Sequence, residues 1–351
     1  MFVKIIDPSK DTRWSDFISS HKYGSIYHHS AWKEVIQSTY KYTPLYFVLE
    51  DDEGRLRAGI PFFLIKSWLT GTRLVSLPFS DVCDPLIDTI ENASGLLDAI
   101  ISAKEKFGAS YIEIRTQNNS EVFNAYEMKM QPYYQTHVLT LKDDPEVLRK
   151  SFHKSCIQRS IKKAEKSNLT VRKGETVKDM RTFYNLHLLT RKRHGVPPQP
   201  YKFFQNIWEL MYPRGLVTLL LAESNNRVIA GIVLFKFGDT VYYKYGASEE
   251  SFLTYRPNHL LMWKSIEMAC NEGFRYFDFG RTSADNTGLT DFKSRWGAKE
   301  YQLSYLYFPN IKGVASIKEN SFKCRIITKL GRKVPTTLLR IGGRVLYKHL
   351  G

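Results

Sequence analysis

The strand-like run Phe277-Asp278-Phe279 leads straight into the polar segment Gly280-Arg281-Thr282-Ser283-Ala284-Asp285-Asn286, and this into Phe292-Lys293-Ser294-Arg295-Trp296-Gly297-Ala298. Loops at strand ends are where α/β folds hold ligands. Gly280 lets the backbone come close to a ligand, and the Arg281 guanidinium can make two parallel hydrogen bonds to a carboxylate or phosphate. The plainer account, a turn with a surface salt bridge, leaves the density of polar groups unexplained. Two further segments join this one. Thr190-Arg191-Lys192-Arg193-His194-Gly195-Val196-Pro197-Pro198 closes a helix in a basic turn; cations at a helix C-terminus also serve stability, which suffices for Arg191 and Lys192. Tyr243 and Tyr245 alternate along a strand and are expected on one face, where core packing accounts for one of them. No G-x-S-x-G, H-E-x-x-H or Walker loop is present, so neither a serine nucleophile, a zinc site nor a Walker-type nucleotide site is signalled.

These groups need elements to hold them. The periodicity predicts strands at 45–49 and 58–65 joined by the turn Asp51-Asp52-Glu53-Gly54, an amphipathic helix at 93–107 and a strand at 111–115. A short helix capped by Ser30 comes before them. The same plan returns with strands at 217–222, 228–236 and 240–245, a helix at 258–271 with Pro257 at its first position and Gly273 past its end, and a strand at 276–279. The recurrence is visible in the letters. Arg55-Leu56-Arg57-Ala58-Gly59-Ile60 returns as Arg227-Val228-Ile229-Ala230-Gly231-Ile232, and Gly108-Ala109-Ser110-Tyr111-Ile112-Glu113-Ile114-Arg115 as Gly273-Phe274-Arg275-Tyr276-Phe277-Asp278-Phe279-Gly280-Arg281, at offsets of 172 and 165 residues. Such offsets are too long for a solenoid unit and imply a duplicated, domain-sized half, with a crevice expected between two such halves. Strand, helix and strand in that order imply mixed α/β.

Composition narrows the class. With 351 residues, 43% of them apolar and 14% aromatic, the chain can bury two cores and is not disordered. The net charge of +16 favours an anionic partner: nucleic acid, an acidic lipid surface or a phosphorylated substrate. Cys83, Cys156, Cys270 and Cys324 are scattered and form no C-x-x-C pair, which signals neither a metal site nor a disulfide framework. No leader-like N-terminus and no membrane-spanning run is apparent, so a reducing cytoplasm is the expected setting.

Two stretches concentrate the charge. Residues 149–166 hold seven Lys or Arg against Glu165 alone. A solvated helix face is the bland reading, but an excess of one sign is not explained by internal pairing, so Lys154, Arg159, Lys162 and Lys163 are expected to face a polyanion. Residues 310–351 hold ten Lys or Arg against Glu319, and Leu338, Leu339, Ile341, Val345, Leu346 and Leu350 interleave with Arg340, Arg344 and Lys348. That pattern suits a basic amphipathic segment on an anionic membrane, or equally a tail helix packed on the second half; Gly342-Gly343 weakens any single long helix.

Lys192-Arg193-His194-Gly195-Val196 with Phe203-Phe204, then Tyr243-Lys244-Tyr245-Gly246-Ala247-Ser248, then Asp278-Phe279-Gly280-Arg281 and Phe292-Lys293-x-x-Trp296-Gly297-Ala298, resemble the Fem-type aminoacyltransferases and their GNAT-like relatives of cell-envelope and exopolysaccharide loci. The likeness runs from Trp32 to Tyr307. It implies an α/β (α+β) chain of two tandem GNAT-like halves with mixed sheets flanked by helices, at 1–148 and 149–309, followed by a basic tail at 310–351. It also implies a transferase joining an aminoacyl or acyl group to an amine, with aminoacyl-tRNA or acyl-CoA as co-substrate and no tightly bound cofactor or metal. By the same resemblance Arg193 falls near precursor phosphate, Tyr243 and Tyr245 in the acceptor groove, and Phe292-Lys293 beside the reacting carbonyl. An acid and a lysine used by peptidoglycan-acting members have no clear counterpart; Thr116, and Glu34 or Ile36, stand there.

Transfer of this kind gains most from holding two substrates together and stabilising an oxyanion. Lys293, Arg281 and Tyr245 are the candidates for that, with Asp278 and Asp81 as candidate bases whose structural alternative is equally good. His194, Trp296, Arg256 and Asn258 complete the expected substrate site. Lys293→Ala is expected to lower transfer far more than stability. The expected acceptor is a lipid-linked or nucleotide-linked envelope precursor at the inner face of the membrane. Two rivals remain open: an acyl-CoA N-acyltransferase of an envelope amino sugar, disfavoured because Tyr255-Arg256-Pro257-Asn258-His259 lacks the glycines of a pyrophosphate loop, and a non-catalytic basic adaptor for RNA or membrane.

Overall fold

The computed structural model describes residues 1–118, 120–309 and 328–350. The expected tail therefore lies partly, at 310–327 and 351, outside the described residues.

The described residues form two compact units. In the first, β1 (Phe2–Ile6), β2 (Thr43–Glu50), β3 (Leu56–Ser67), β4 (Gly71–Val75), β5 (Tyr111–Thr116) and β12 (Lys299–Phe308) are neighbours in that order. Strands β2, β3 and β4 are antiparallel, and β4 runs parallel to β5 from Arg73↔Tyr111 to Val75↔Glu113. The crossover between β4 and β5 carries α3 (Ile90–Lys106). The Thr89 hydroxyl starts this helix by accepting from Asn92 N, and Leu96, Leu97 and Ile100 bury against Phe47, Ile60 and Phe62 of β2 and β3. Helices α1 (Arg13–Ser20) and α2 (Ser30–Tyr40) precede this block. The cap of α2 is His29, whose ring accepts from Ala31 N, and not Ser30 as expected.

The second unit follows the same plan. Its strand order is β6 (Lys129–Thr140), β11 (Tyr276–Ser283), β10 (Thr240–Ser248), β9 (Arg227–Phe237), β8 (Val217–Ser224) and β7 (Thr170–Gly174). Strands β8, β9 and β10 are antiparallel, and β10 runs parallel to β11 from Thr240↔Tyr276 to Tyr242↔Asp278. The crossover carries α8 (Pro257–Asn271), which buries Leu261, Ile266 and Ala269 against Ala230, Ile232 and Leu234 of β9. The register shift at Leu49/Glu50 in the first hairpin recurs at Ala222/Glu223 in the second. The duplication read from the letters is thus a duplication of pairing, and the tandem, mixed α/β architecture holds.

The two units are not continuous runs of the chain. Residues 302–309 count with the first unit, because β12 pairs antiparallel with β5 from Ser304↔Thr116 to Phe308↔Ile112. Residues from Gln135 count with the second, where the Thr136 hydroxyl donates to Asp278. The long helix expected over 149–166 is also broken. Helix α4 (Pro145–Ser151) stops at Phe152, whose backbone is extended; a five-residue π turn at Lys154–Gln158 follows, then α5 (Arg159–Lys166). The turn is stabilised by His153, whose ring accepts from Cys156 N.

Helix α6 (Val177–His194) opens with a capping box between Thr176 and Asp179 and ends at Gly195. Helix α7 (Tyr201–Met211) packs beside it. Helix α9 (Thr287–Ser294) is short, and helix α10 (Thr336–Leu350) runs unbroken through Gly342-Gly343. Gly343 is needed there: a Cβ would lie 2.0 Å from the Pro198 carbonyl oxygen. The carbonyls at the end of α10 are satisfied inside the first unit, where Tyr42 Oη donates to Lys348 O at 2.9 Å and Thr70 and Arg73 donate to His349 O at 2.9 and 2.8 Å. Among the described residues no helix is long and apolar enough to cross a membrane.

Candidate functional site

The parallel ladder between β10 and β11 ends early. After Tyr242↔Asp278 the two strands have no further paired residues, although β10 continues to Ser248 and β11 to Ser283. Parted parallel strands leave backbone groups that need other partners. On β11, Gly280 N donates to Asp278 Oδ1 at 2.7 Å, and Gly280 O accepts from Lys293 Nζ at 2.6 Å. On β10, the strand bends. The register shifts between Tyr243, opposite Leu234, and Tyr245, opposite Val233, so Lys244 is an extra residue in a bulge.

The bulge corrects the expectation that both tyrosines share a face. Adjacent pairs in a ladder point opposite ways. Tyr243 packs on the core under α8, whereas Tyr245 sits among His187, Phe203 and Phe204 of α6 and α7, with ring centroids 5.1–6.2 Å away.

A cavity of about 220 Å3 opens beside the parted strand. Its wall includes Arg193, His194, Tyr243, Asn258 and Phe292, five of the expected residues. Thr190, Gly246, Ser248 and Met262, which carried no expectation, also line it. An adjoining recess of about 810 Å3 shares Arg193, His194 and Ser248, and Lys192, Arg332, Glu249 and Glu250 also line it. Ser248 organises the junction: Thr190 Oγ1 and Arg193 Nη1 both donate to its carbonyl, at 3.2 and 3.4 Å, and Asn258 Nδ2 donates to its hydroxyl at 3.3 Å. The basic turn itself depends on Gly195. Its φ is +70°, and a Cβ would lie 1.9 Å from Thr328 O, so only glycine fits where these backbones cross.

Charge in this cavity is tuned by its surroundings. Burial pushes the Tyr243 phenol up to about 12, so it remains a neutral O–H donor. Partial burial, then Arg193, Arg191 and Arg332, hold His194 below its ordinary 6.5, which keeps the ring neutral near pH 7. Arg191 donates twice to Pro197 O and has the structural duty expected of it.

Other expected residues lie off the cavity wall. Lys293 is 3% exposed and donates to Thr282 Oγ1 at 2.7 Å as well as to Gly280 O. Asp278 is buried and accepts from Thr136 and Gly280. Trp296 is fully buried against Phe152 and Phe279. Arg281 is exposed, and Arg256 is a left-handed residue (φ +61°) heading α8. Asp81 belongs to the first unit, where it accepts from Tyr27 Oη at 2.9 Å. Thr116, standing where peptidoglycan-acting relatives are expected to carry an acid, hydrogen-bonds Asp84. Lys154, Arg159, Lys162 and Lys163 are exposed and make no ion pair among the described residues, while Arg149 is paired with Glu165 at 2.8 Å. Among the described residues no cluster of His, Cys, Asp and Glu could hold a metal ion.

Residues 151–294 match the acetyltransferase (GNAT) domain. Over 297 residues the chain is 20% identical to the UDP-N-acetylmuramoylpentapeptide-lysine N(6)-alanyltransferase of Weissella viridescens, covering 80% of this chain and 87% of that one. It is 23% identical over 246 residues to a lipid II:glycine glycyltransferase of Staphylococcus saprophyticus, covering 48% of this chain but only 59% of that protein's length, less than two thirds. The crystal structure of FemX superposes with a TM-score of 0.71 at 18% identity, covering 87% of this chain and 97% of that one, a likeness of fold. The relatives named here are Fem-type transferases, and residues 151–294 of this chain carry the likeness to the GNAT domain.

Proposed function

We propose that this chain forms an amide by passing an aminoacyl group from aminoacyl-tRNA to an amine of a peptidoglycan-type or related envelope precursor. The observation that carries this reading is the cavity at the parted β10–β11 mouth, which gathers Arg193, His194, Tyr243, Asn258 and Phe292 in a chain whose relatives transfer amino acids. The acceptor amine attacks the ester carbonyl, forming a C–N bond. The carbonyl oxygen becomes an oxyanion, and the C–O bond to the ribose then breaks. A neutral His194 ring suits removal of the amine proton, which the leaving hydroxyl takes up. The Tyr243 O–H suits the oxyanion. Arg193 at the cavity wall, with Lys192 and Arg332 in the adjoining recess, suits phosphates of the precursor or of the tRNA end.

An acyl-CoA donor is the second reading, favoured by the match to the GNAT domain. Against it, the helix that would receive a pyrophosphate starts at Pro257, which has no N–H to offer.

The deciding experiment supplies purified protein with nucleotide-linked or lipid-linked muramyl peptide and either alanyl-tRNA and glycyl-tRNA or acetyl-CoA. Amide formation with the charged tRNAs alone is expected, with His194→Gln and Tyr243→Phe each lowering kcat by about 10²-fold or more. Turnover with acetyl-CoA alone would transfer the assignment to an N-acyltransferase. No turnover with either donor, or full activity in both variants, would remove this cavity from the chemistry.

A further inference from the structure

A third recess, of about 590 Å3, shares no wall residue with the two described above. Arg181 and Tyr184 of α6, the start of α7 at Tyr201 and Lys202, and Arg340, Ile341 and Arg344 of α10 converge on it. Four cations line it and no acid does. Among the described residues Arg181, Arg340 and Arg344 make no ion pair, and the nearest carboxylate to Lys202 is Glu209 at 4.0 Å. Arg181 is held in place by the Tyr201 ring, 4.3 Å from its centroid. Tyr201 also brings a buried hydroxyl that has no hydrogen-bond partner among the described residues. Three unpaired guanidiniums around one concavity repel each other unless an anion sits among them, and a phosphate matches their fork geometry.

The same helix tells which phosphate. Ile341 lines the recess yet is 55% exposed, and Leu338, one turn earlier, is 57% exposed. Exposed aliphatic side chains gain nothing from a phosphodiester chain in water, but they gain on entering the acyl boundary of a bilayer, and basic residues beside them complement an anionic leaflet. Leu339 of the same helix is buried, so α10 has one apolar side packed and another unused. We propose that this recess binds the phosphate of an anionic phospholipid, with Leu338 and Ile341 entering the bilayer and Arg181, Arg340 and Arg344 holding the headgroup. This contact is separate from the transfer site and does not depend on the donor or acceptor assigned there.

The test is flotation of the full chain with vesicles of phosphatidylcholine, with and without phosphatidylglycerol, alongside binding to uncharged tRNA. The chain is expected to float only with the anionic vesicles. Arg340→Glu/Arg344→Glu should weaken that binding about tenfold or more, whereas Lys104→Glu/Lys106→Glu, an equal change of charge on α3, should change it less than about twofold. Leu338→Ser/Ile341→Ser should weaken vesicle binding and leave tRNA binding unchanged. Arg181→Ala, which leaves α10 untouched, should weaken vesicle binding by itself if the double variants fail to melt cooperatively. Equal flotation with both vesicles, equal losses in the arginine and lysine pairs, or loss of tRNA binding with vesicle binding intact would overturn the proposal; the last result would assign the recess to RNA.

Discussion

At the scale of single residues, Lys293 shows how a side chain of the right type can be in the right segment with a different duty. Its position after Phe292 suggested an ammonium beside a reacting carbonyl. In the fold the ammonium is buried and spends two hydrogen bonds on β11, one on the Gly280 carbonyl left over where the parallel ladder stops. Lys293→Met is therefore expected to cost stability as well as activity, about 2–4 kcal/mol, because it strands a buried carbonyl and removes a charge-assisted bond. Urea titration at neutral pH checks this; a variant as stable as the parent would return Lys293 to a purely chemical role. The residues legible from sequence were those whose local motif sets their geometry. Arg193 and His194 precede a glycine that only a left-handed crossing explains, and both reach the cavity. Thr190 and Ser248 were not legible, since a hydroxyl in a helix and one at a strand end meet only through the tertiary fold.

At the scale of elements, the hairpins, the two crossover helices and the strands that follow them were readable from local pattern, whereas β4, the parallel partner of β5, was not read. Helix α8 begins at Pro257 and ends before Gly273 as its cap signals required. The bulge at Lys244 was not readable: alternation assumes an uninterrupted ladder, and one extra residue sends Tyr243 and Tyr245 to opposite faces. Nor was the break at Phe152, because seven cations spread over 149–166 look alike whether or not a π turn divides them. The bulged segment is kept open by Gly246, where a Cβ would lie 2.2 Å from the Tyr243 hydroxyl oxygen. Gly246→Ala should thus displace Tyr243, costing about 1–3 kcal/mol, and abolish its service to the cavity. The clash is with the hydroxyl, so Tyr243→Phe should restore part of the stability lost in Gly246→Ala. A thermal double-mutant cycle measures this; strict additivity of the two changes would mean that the glycine serves the bulge and not the tyrosine.

At the scale of the whole molecule, a net charge of +16 meets buried histidines that are held neutral, and both make acid the chain's weak direction. In the first unit, His28 is fully buried. Its Nδ1 accepts from Ser25 N and faces the Ser25 hydroxyl, so the proton lies on Nε2, which donates to Asp84 O at 3.0 Å. Burial lowers this ring to about 4. In the second unit, burial beside Arg191 lowers His187 to about 3. The unfolded chain takes up these protons near 6.5, the folded chain only near 4 and 3, so the unfolded state holds more protons in between. The stability due to the neutral rings is complete above about pH 6.5 and is lost as pH falls toward the folded values, on the order of 3 kcal/mol for His28 alone. Self-repulsion grows over the same interval as carboxylates protonate. The melting temperature should accordingly drop between about pH 6.5 and about pH 4. His28→Asn, less stable at neutral pH, should show a shallower drop than the parent over that window. Scanning calorimetry of both proteins across the window decides it: parallel curves would mean that His28 titrates alike in both states and that repulsion among the surface cations alone sets the acid limit.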